Sequence, residues 1–95
     1  MRGASAWRYL RRDGLLVLAL DAAEATAKFR DIEALLDGKT RRHILESSST
    51  RSGQTTYQYV FSGLSGDVAE LQSALSALAP FTSVNIFLDR PGGIR

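Results

Sequence analysis

Residues Leu15 to Leu20 read LLVLAL, an apolar run with no polar position on either parity. A strand sends alternate side chains to opposite faces, so a run apolar at every position marks a strand covered on both sides, at the middle of a sheet. The stretch Thr55 to Phe61, TTYQYVF, has a different pattern. Its aromatics alternate with other residues, so Tyr57, Tyr59 and Phe61 share one face and Thr56, Gln58 and Val60 share the other. The two stretches are expected side by side.

Between them, Asp21 to Leu36 reads as a helix. Asp21 and Glu24 have the acceptor spacing of a capping box. Ala25, Phe29, Ile32 and Leu36 recur at helical spacing as its buried stripe. Lys28, Asp31 and Glu33 fall off that stripe and are expected in water. Asp37-Gly38 supplies the stop, because glycine readily takes the left-handed conformation past a helix end. Thr40 to Ser49 follows as a weakly buried edge strand whose charges discourage stray pairing. Thr50 to Gln54 turns it into TTYQYVF as a hairpin. Ser62 to Gly66 is a loop, and Asp67 caps a second helix with Val68, Leu71, Leu75 and Leu78 as its stripe. Pro80 ends that helix. Ser83 to Leu88, SVNIFL, is the last strand, with Val84, Ile86 and Leu88 on one face.

The order strand, helix, strand, strand, helix, strand is that of an α+β, two-layer ferredoxin-like βαββαβ sandwich. Two right-handed crossovers give an antiparallel sheet of order 4-1-3-2, with both helices on one face. The domain spans residues 14–89, between an N-terminal arm or linker at 1–13 and a flexible tail at 90–95. Asp13-Gly14 is also a favoured two-residue turn, so AWRYLRR has a second reading, an extra edge strand folded back on LLVLAL.

Such a fold leaves one sheet face open. Either the aromatics of the third strand enter the helical layer and leave residues such as Leu15 or Leu16 on the open face, or the aromatics lie open themselves. Uncovered apolar surface marks an association site. Leu16, Leu18, Tyr57, Tyr59 and Val84 are the sheet residues expected in the core or at an interface. A second copy, giving a homodimer, a partner domain or the N-terminal arm would supply the cover.

Ninety-five residues suit one domain, and a chain of this size buries roughly 60–65% of its unfolded surface, enough for one core. There is no cysteine, which excludes disulfides, thiolate zinc sites and a cysteine nucleophile. The net charge is +2 and the sequence pI about 9.4. Two basic clusters, Arg8/Arg11/Arg12 and Lys39/Arg41/Arg42, suit a solvated rim, an anionic membrane surface or a phosphate backbone. Aromatics beside arginines are found in RNA-recognition domains, but LLVLAL offers no aromatic for a base to stack on. His43 has no second histidine and no metal spacing, so it is expected as a surface or edge residue, and neither metal nor cofactor is expected. Gly63-Leu64-Ser65-Gly66 does not follow the nucleophile-elbow pattern. Asp67 occupies the helix start where an anion would sit. The carboxylates are scattered singly, with no pair placed for acid–base work, so the chain is read as a non-enzyme. No run reaches the ~18–20 apolar residues of a membrane helix. The first 25 residues have the order of a signal peptide, but the apolar run is short and Asp21 follows it at once, so LLVLAL is read as core.

From Leu15 to Leu88 the pattern LLVLAL, FRDIEALL, KTRRHILESSSTRSGQTTYQYVFSGL, ELQSAL, SVNIFLDR resembles the cytoplasmic C-terminal domain of a bacterial polytopic membrane-protein family of unknown function. That family has a Thr-rich, positively charged second strand, a Tyr-containing third strand and a final apolar strand. The resemblance implies an ACT-like cytosolic domain following membrane helices, similar in shape to the C-terminal domain of MgtC-type magnesium-transport-associated proteins. It carries no functional residue over to this chain. ACT domains bind amino acids through a glycine-bearing loop after the first strand, and LDAAEA here has no glycine. Acylphosphatases need an arginine in a glycine-rich loop at the same place, which is missing. The expected function is a non-enzymatic regulatory or interaction module. A nucleic-acid-binding module and a small-molecule sensor with its site at a dimer interface are the alternatives.

Overall fold

The computed structural model describes residues 13–88. The arm at residues 1–12, with Arg8, Arg11 and Arg12, and the tail at 89–95 lie outside the described residues. The elements are β1 (Gly14–Asp21), α1 (Ala22–Lys39), β2 (Arg42–Arg51), β3 (Gln54–Ser62), α2 (Val68–Leu78) and β4 (Ser83–Leu88). They form a small α+β fold in two layers, a four-stranded antiparallel open sheet and two helices.

The sheet order is β2-β3-β1-β4. β1 is paired on both edges, with Leu16 opposite Tyr59 on one side and opposite Ile86 on the other. Its position follows from its composition, because a strand apolar at every position exposes least apolar surface to water where neighbours cover it. Leu16, Leu18 and Leu20 are fully buried, each contributing about 1.5–3 kcal/mol of transfer free energy. Both hydrogen-bonding edges of β1 are occupied, by β3 and β4; AWRYLRR lies outside the described residues. Asp13-Gly14 is not a hairpin turn, since Gly14 is the first residue of β1. The Asp13 amide donates to the Phe61 carbonyl at 2.9 Å, and its carboxylate accepts from the Gly63 amide at 2.6 Å.

The core lies on one side of the sheet. It joins Leu16, Leu18 and Leu20 of β1 and Tyr57, Tyr59 and Phe61 of β3 to Ala25, Ile32 and Leu36 of α1 and Leu71 and Leu75 of α2. The third-strand aromatics therefore enter the helical layer. Leu15, Val17 and Ala19 fall on the opposite face.

Two boundaries differ from expectation. α1 does not stop at Asp37-Gly38 but runs to Lys39. The Thr40 amide and hydroxyl both donate to the Leu36 carbonyl, at 2.9 and 2.8 Å, which closes the last turn without a left-handed glycine. Lys39 in that turn also suits the negative end of the helix dipole. The hairpin is tighter than a Thr50–Gln54 turn. Only Ser52 and Gly53 are unpaired, with φ of 55° and 77°, the positive pair that matches the twist of flanking strands. β2 consequently extends to Arg51, opposite Gln54, and the hydroxyls of Thr50 and Thr55 meet at 2.7 Å. A β-bulge interrupts β2 between Leu45 and Ser47.

Gly14 has a packing role. A methyl group there would lie 2.7 Å from the Phe61 ring and 2.7 Å from the Phe87 carbonyl. At Gly38, in α1, an added methyl meets nothing. Gly14→Ala is therefore expected to destabilise the domain by about 1–3 kcal/mol. Gly38→Ala is expected to stabilise it by roughly 0.5–1 kcal/mol. Urea denaturation of the two variants measures the contrast, and equal effects would contradict this packing.

Candidate functional site

The strand registers sort the sheet side chains into two faces. The helix-facing side takes all five sheet residues named from the sequence. Leu16, Leu18 and Tyr59 are fully buried, Tyr57 is 7% exposed and Val84 is partly buried against the core. They build the hydrophobic core and are not available on the other face.

The face away from the helices is organised in rows that cross all four strands. Ile44, Val60, Leu15 and Phe87 lie in one row, opposite one another in sequence of strands. The next row is Ser47, Gln58, Val17 and Asn85, and the third is Ser49, Thr56, Ala19 and Ser83. No formal charge occurs in these three rows. Charge comes with Glu46, the exposed residue at the bulge between the first two rows, and beyond the rows with Arg42 on one side and Arg51 and Asp21 on the other. The first row is an apolar band at the end of the sheet where β1 begins. Val60 at its middle has no accessible surface, whereas Ile44 and Phe87 at its two ends are 36% and 55% exposed.

A polar cluster joins α1 to β2 and β3. Glu33 Oε2 accepts from the Tyr59 hydroxyl at 2.7 Å. Glu33 Oε1 is 3.1 Å from His43 Nε2, and Asp37 Oδ1 is 3.5 Å from the same nitrogen. The His43 and Tyr59 rings meet edge to face with centroids 5.9 Å apart. His43 does lie on an edge strand, but its side chain turns inward and is only 10% exposed. Glu33, expected in water, is half-buried instead. It sits four residues after Phe29, beside the buried stripe, on the side where β2 and β3 present Tyr59 and His43. Burial pushes the Tyr59 phenol well above its ordinary range, and the bond to Glu33 and the charge of Glu33 push it further. Burial also raises Tyr57. The arrangement fastens helix to sheet. Among the described residues, no group of three or more His, Asp or Glu side chains is placed to hold a metal ion.

Of the two basic clusters, only Lys39, Arg41 and Arg42 fall within the described residues. They gather at the corner where α1 passes into β2. The Arg41 amide donates to the carbonyls of Ser62 and Gly63 at 3.0 and 3.1 Å, which pins that corner to the end of β3. Arg41 and Arg42 are exposed. Asp67 does occupy the start of α2, accepting from the Glu70 amide at 2.9 Å. Among the described residues no helix is long and apolar enough to cross a membrane.

No family model matches this chain, and no curated protein matches it.

The cluster generates a pH dependence. A phenol whose folded pKa is raised contributes stability that is complete below its unfolded value of ~10 and is lost as pH rises above it, with a limiting slope of about 1.4 kcal/mol per pH unit for each such group. Removing the hydroxyl should cost roughly 1.5–3 kcal/mol at neutral pH, the range for a bond to a charged acceptor. Tyr59→Phe is therefore expected to lower stability at pH 7 and to flatten its decline above ~10. Urea midpoints measured across that range for both proteins check this, and parallel curves would count against the contact.

Proposed function

We propose that this domain is a non-enzymatic regulatory or interaction module that acts by self-association or partner contact through the sheet face away from the helices. The observation carrying this reading is that the paired positions of three consecutive rows of that face hold no formal charge, Glu46 at the bulge being the one charge between them, in a chain with 23% charged residues. A face kept in water is expected to share in the charge, as the outer side of α1 does with exposed Arg30 and Asp31. Interface centres are depleted in charge, and apolar bands on them supply the binding energy. Ile44 and Phe87 give the band two exposed ends.

The sheet order, which read from β4 is 4-1-3-2, supports a ferredoxin-like assignment together with the βαββαβ element order. An ACT-like regulatory role, in the cytosolic part of a membrane protein, rests on the sequence resemblance. The corner of Lys39, Arg41 and Arg42 supports the rival reading, a module that contacts nucleic acid or an anionic membrane.

Ile44 is the residue for the test, because it lies on the edge strand and its exposure allows a charge without disturbing the core. Ile44→Lys is expected to keep the melting temperature within a few degrees and to weaken association, seen as a lower mass by light scattering across a concentration series. A 10.4 kDa species at every concentration for parent and variant alike would overturn self-association. Binding to DNA, RNA or anionic vesicles that fades steeply with salt would move the assignment to the basic corner.

A further inference from the structure

We propose that the outer edge of β4 is where a second copy of this chain joins the sheet, antiparallel, about a two-fold axis through Ile86. This contact is separate from the face discussed above and does not depend on it.

The two edges of the sheet are built differently. β2 carries Arg42, Glu46 and Arg51 and is broken by the bulge between Leu45 and Ser47. Charges and bulges are the devices that keep an edge strand from pairing with another chain. β4 has none of them. Its six residues, SVNIFL, contain neither charge nor proline, and its register with β1 runs unbroken from Ser83 to Leu88. Its outer side carries no strand among the described residues. Of the three large apolar side chains exposed in the described structure, two are on this strand, Phe87 at 55% and Leu88 at 43%.

The sequence of β4 selects both partner and register. Residues opposite each other in an antiparallel pair must share a face, and the two registers that pair five of the six strand residues have the two-fold axis through Ile86 or through Asn85. About Ile86, the helix-side ladder becomes Ile86 on Ile86 flanked by two pairs of Val84 on Leu88, every member apolar. Phe87 then stands opposite Asn85 on the other face. About Asn85, Leu88 has no partner and Ser83 faces Phe87. Of these two registers, only the first covers Leu88, and it does so with the strand's own residues. A second copy is therefore the occupant that β4 fits. The product is an eight-stranded sheet in which the faces away from the helices lie side by side.

The chain contains no cysteine, so a single introduced thiol reports its own pairing. Residues on the two-fold axis have Cβ atoms about 4.5–5.5 Å apart, within reach of a disulfide after small adjustment. The Ile86→Cys variant is expected to form a covalent dimer rapidly under mild oxidation, and Asn85→Cys and Val84→Cys only slowly. The double variant Val84→Cys with Leu88→Cys should also cross-link. Leu88→Lys, at an exposed position, should leave the fold intact by circular dichroism and weaken the dimer roughly tenfold or more. Ile44→Lys should leave the Ile86→Cys cross-link unchanged, which separates this contact from the face reading. The proposal is overturned if folded Ile86→Cys stays monomeric under oxidation, if Asn85→Cys cross-links as fast, or if Ile44→Lys abolishes the cross-link.

Discussion

Everything in this domain is arranged around a strand that is hydrogen-bonded along both edges and apolar on both faces. β1 has β3 on one side and β4 on the other, and its even-numbered leucines form the floor of the core. A central position satisfies its backbone twice over and removes three leucines from water completely. The helices follow from that floor. α1 and α2 bring stripes of Ala25, Ile32 and Leu36, and of Leu71 and Leu75, onto Leu16, Leu18 and the aromatics of β3. The notch at Gly14 belongs to the same constraint, because the Phe61 ring closes the core where β1 begins only if no side chain stands there.

Much of this was legible in the residues. Six elements, their order, both aspartate caps and the buried stripes all follow from spacing. The face assignment of β1 did not. LLVLAL has the same character on both parities, so composition alone cannot say which three residues look toward the helices. Pairing with β3 decides it, by setting Leu16 across from Tyr59. For that reason Leu16, Leu18, Tyr57, Tyr59 and Val84 are core residues. The face away from the helices is built from the opposite parity, Leu15, Val17, Val60, Ile44 and Phe87. Ile44 enters its row through a register that the two-residue Ser52-Gly53 turn and the bulge fix between them. A left-handed serine and one extra residue leave little mark in a sequence. Glu33 was hidden for a related reason. Helical spacing shows it beside the stripe, but only the packing of β3 and β2 under α1 supplies the phenol and imidazole that hold it.

The polar cluster and the three rows lie on opposite sides of the sheet. On the helix side, Glu33 bonds a fully buried hydroxyl and an inward-turned imidazole, so no polar atom is stranded in a core this small. Among the described residues no buried side-chain nitrogen or oxygen lacks a partner. The polar groups of the helix side are thus satisfied within the fold. On the other side, the paired positions of the three rows hold hydroxyls, amides and aliphatic groups, with Glu46 at the bulge between two of them.

The pairing of Gly14 with Leu88 places the entry and exit of the domain at the same end of two adjacent antiparallel strands. If this unit is strung between other parts of a larger assembly, tension pulls those two strands apart from their shared end. The ladder bonds lie across the strands, so they open in succession like a zipper instead of resisting together in shear. The domain then yields to small forces, although its core is closely packed. Stretching would separate β4 from β1 first, while α1, β2 and β3 remain fastened through Glu33, His43 and Tyr59.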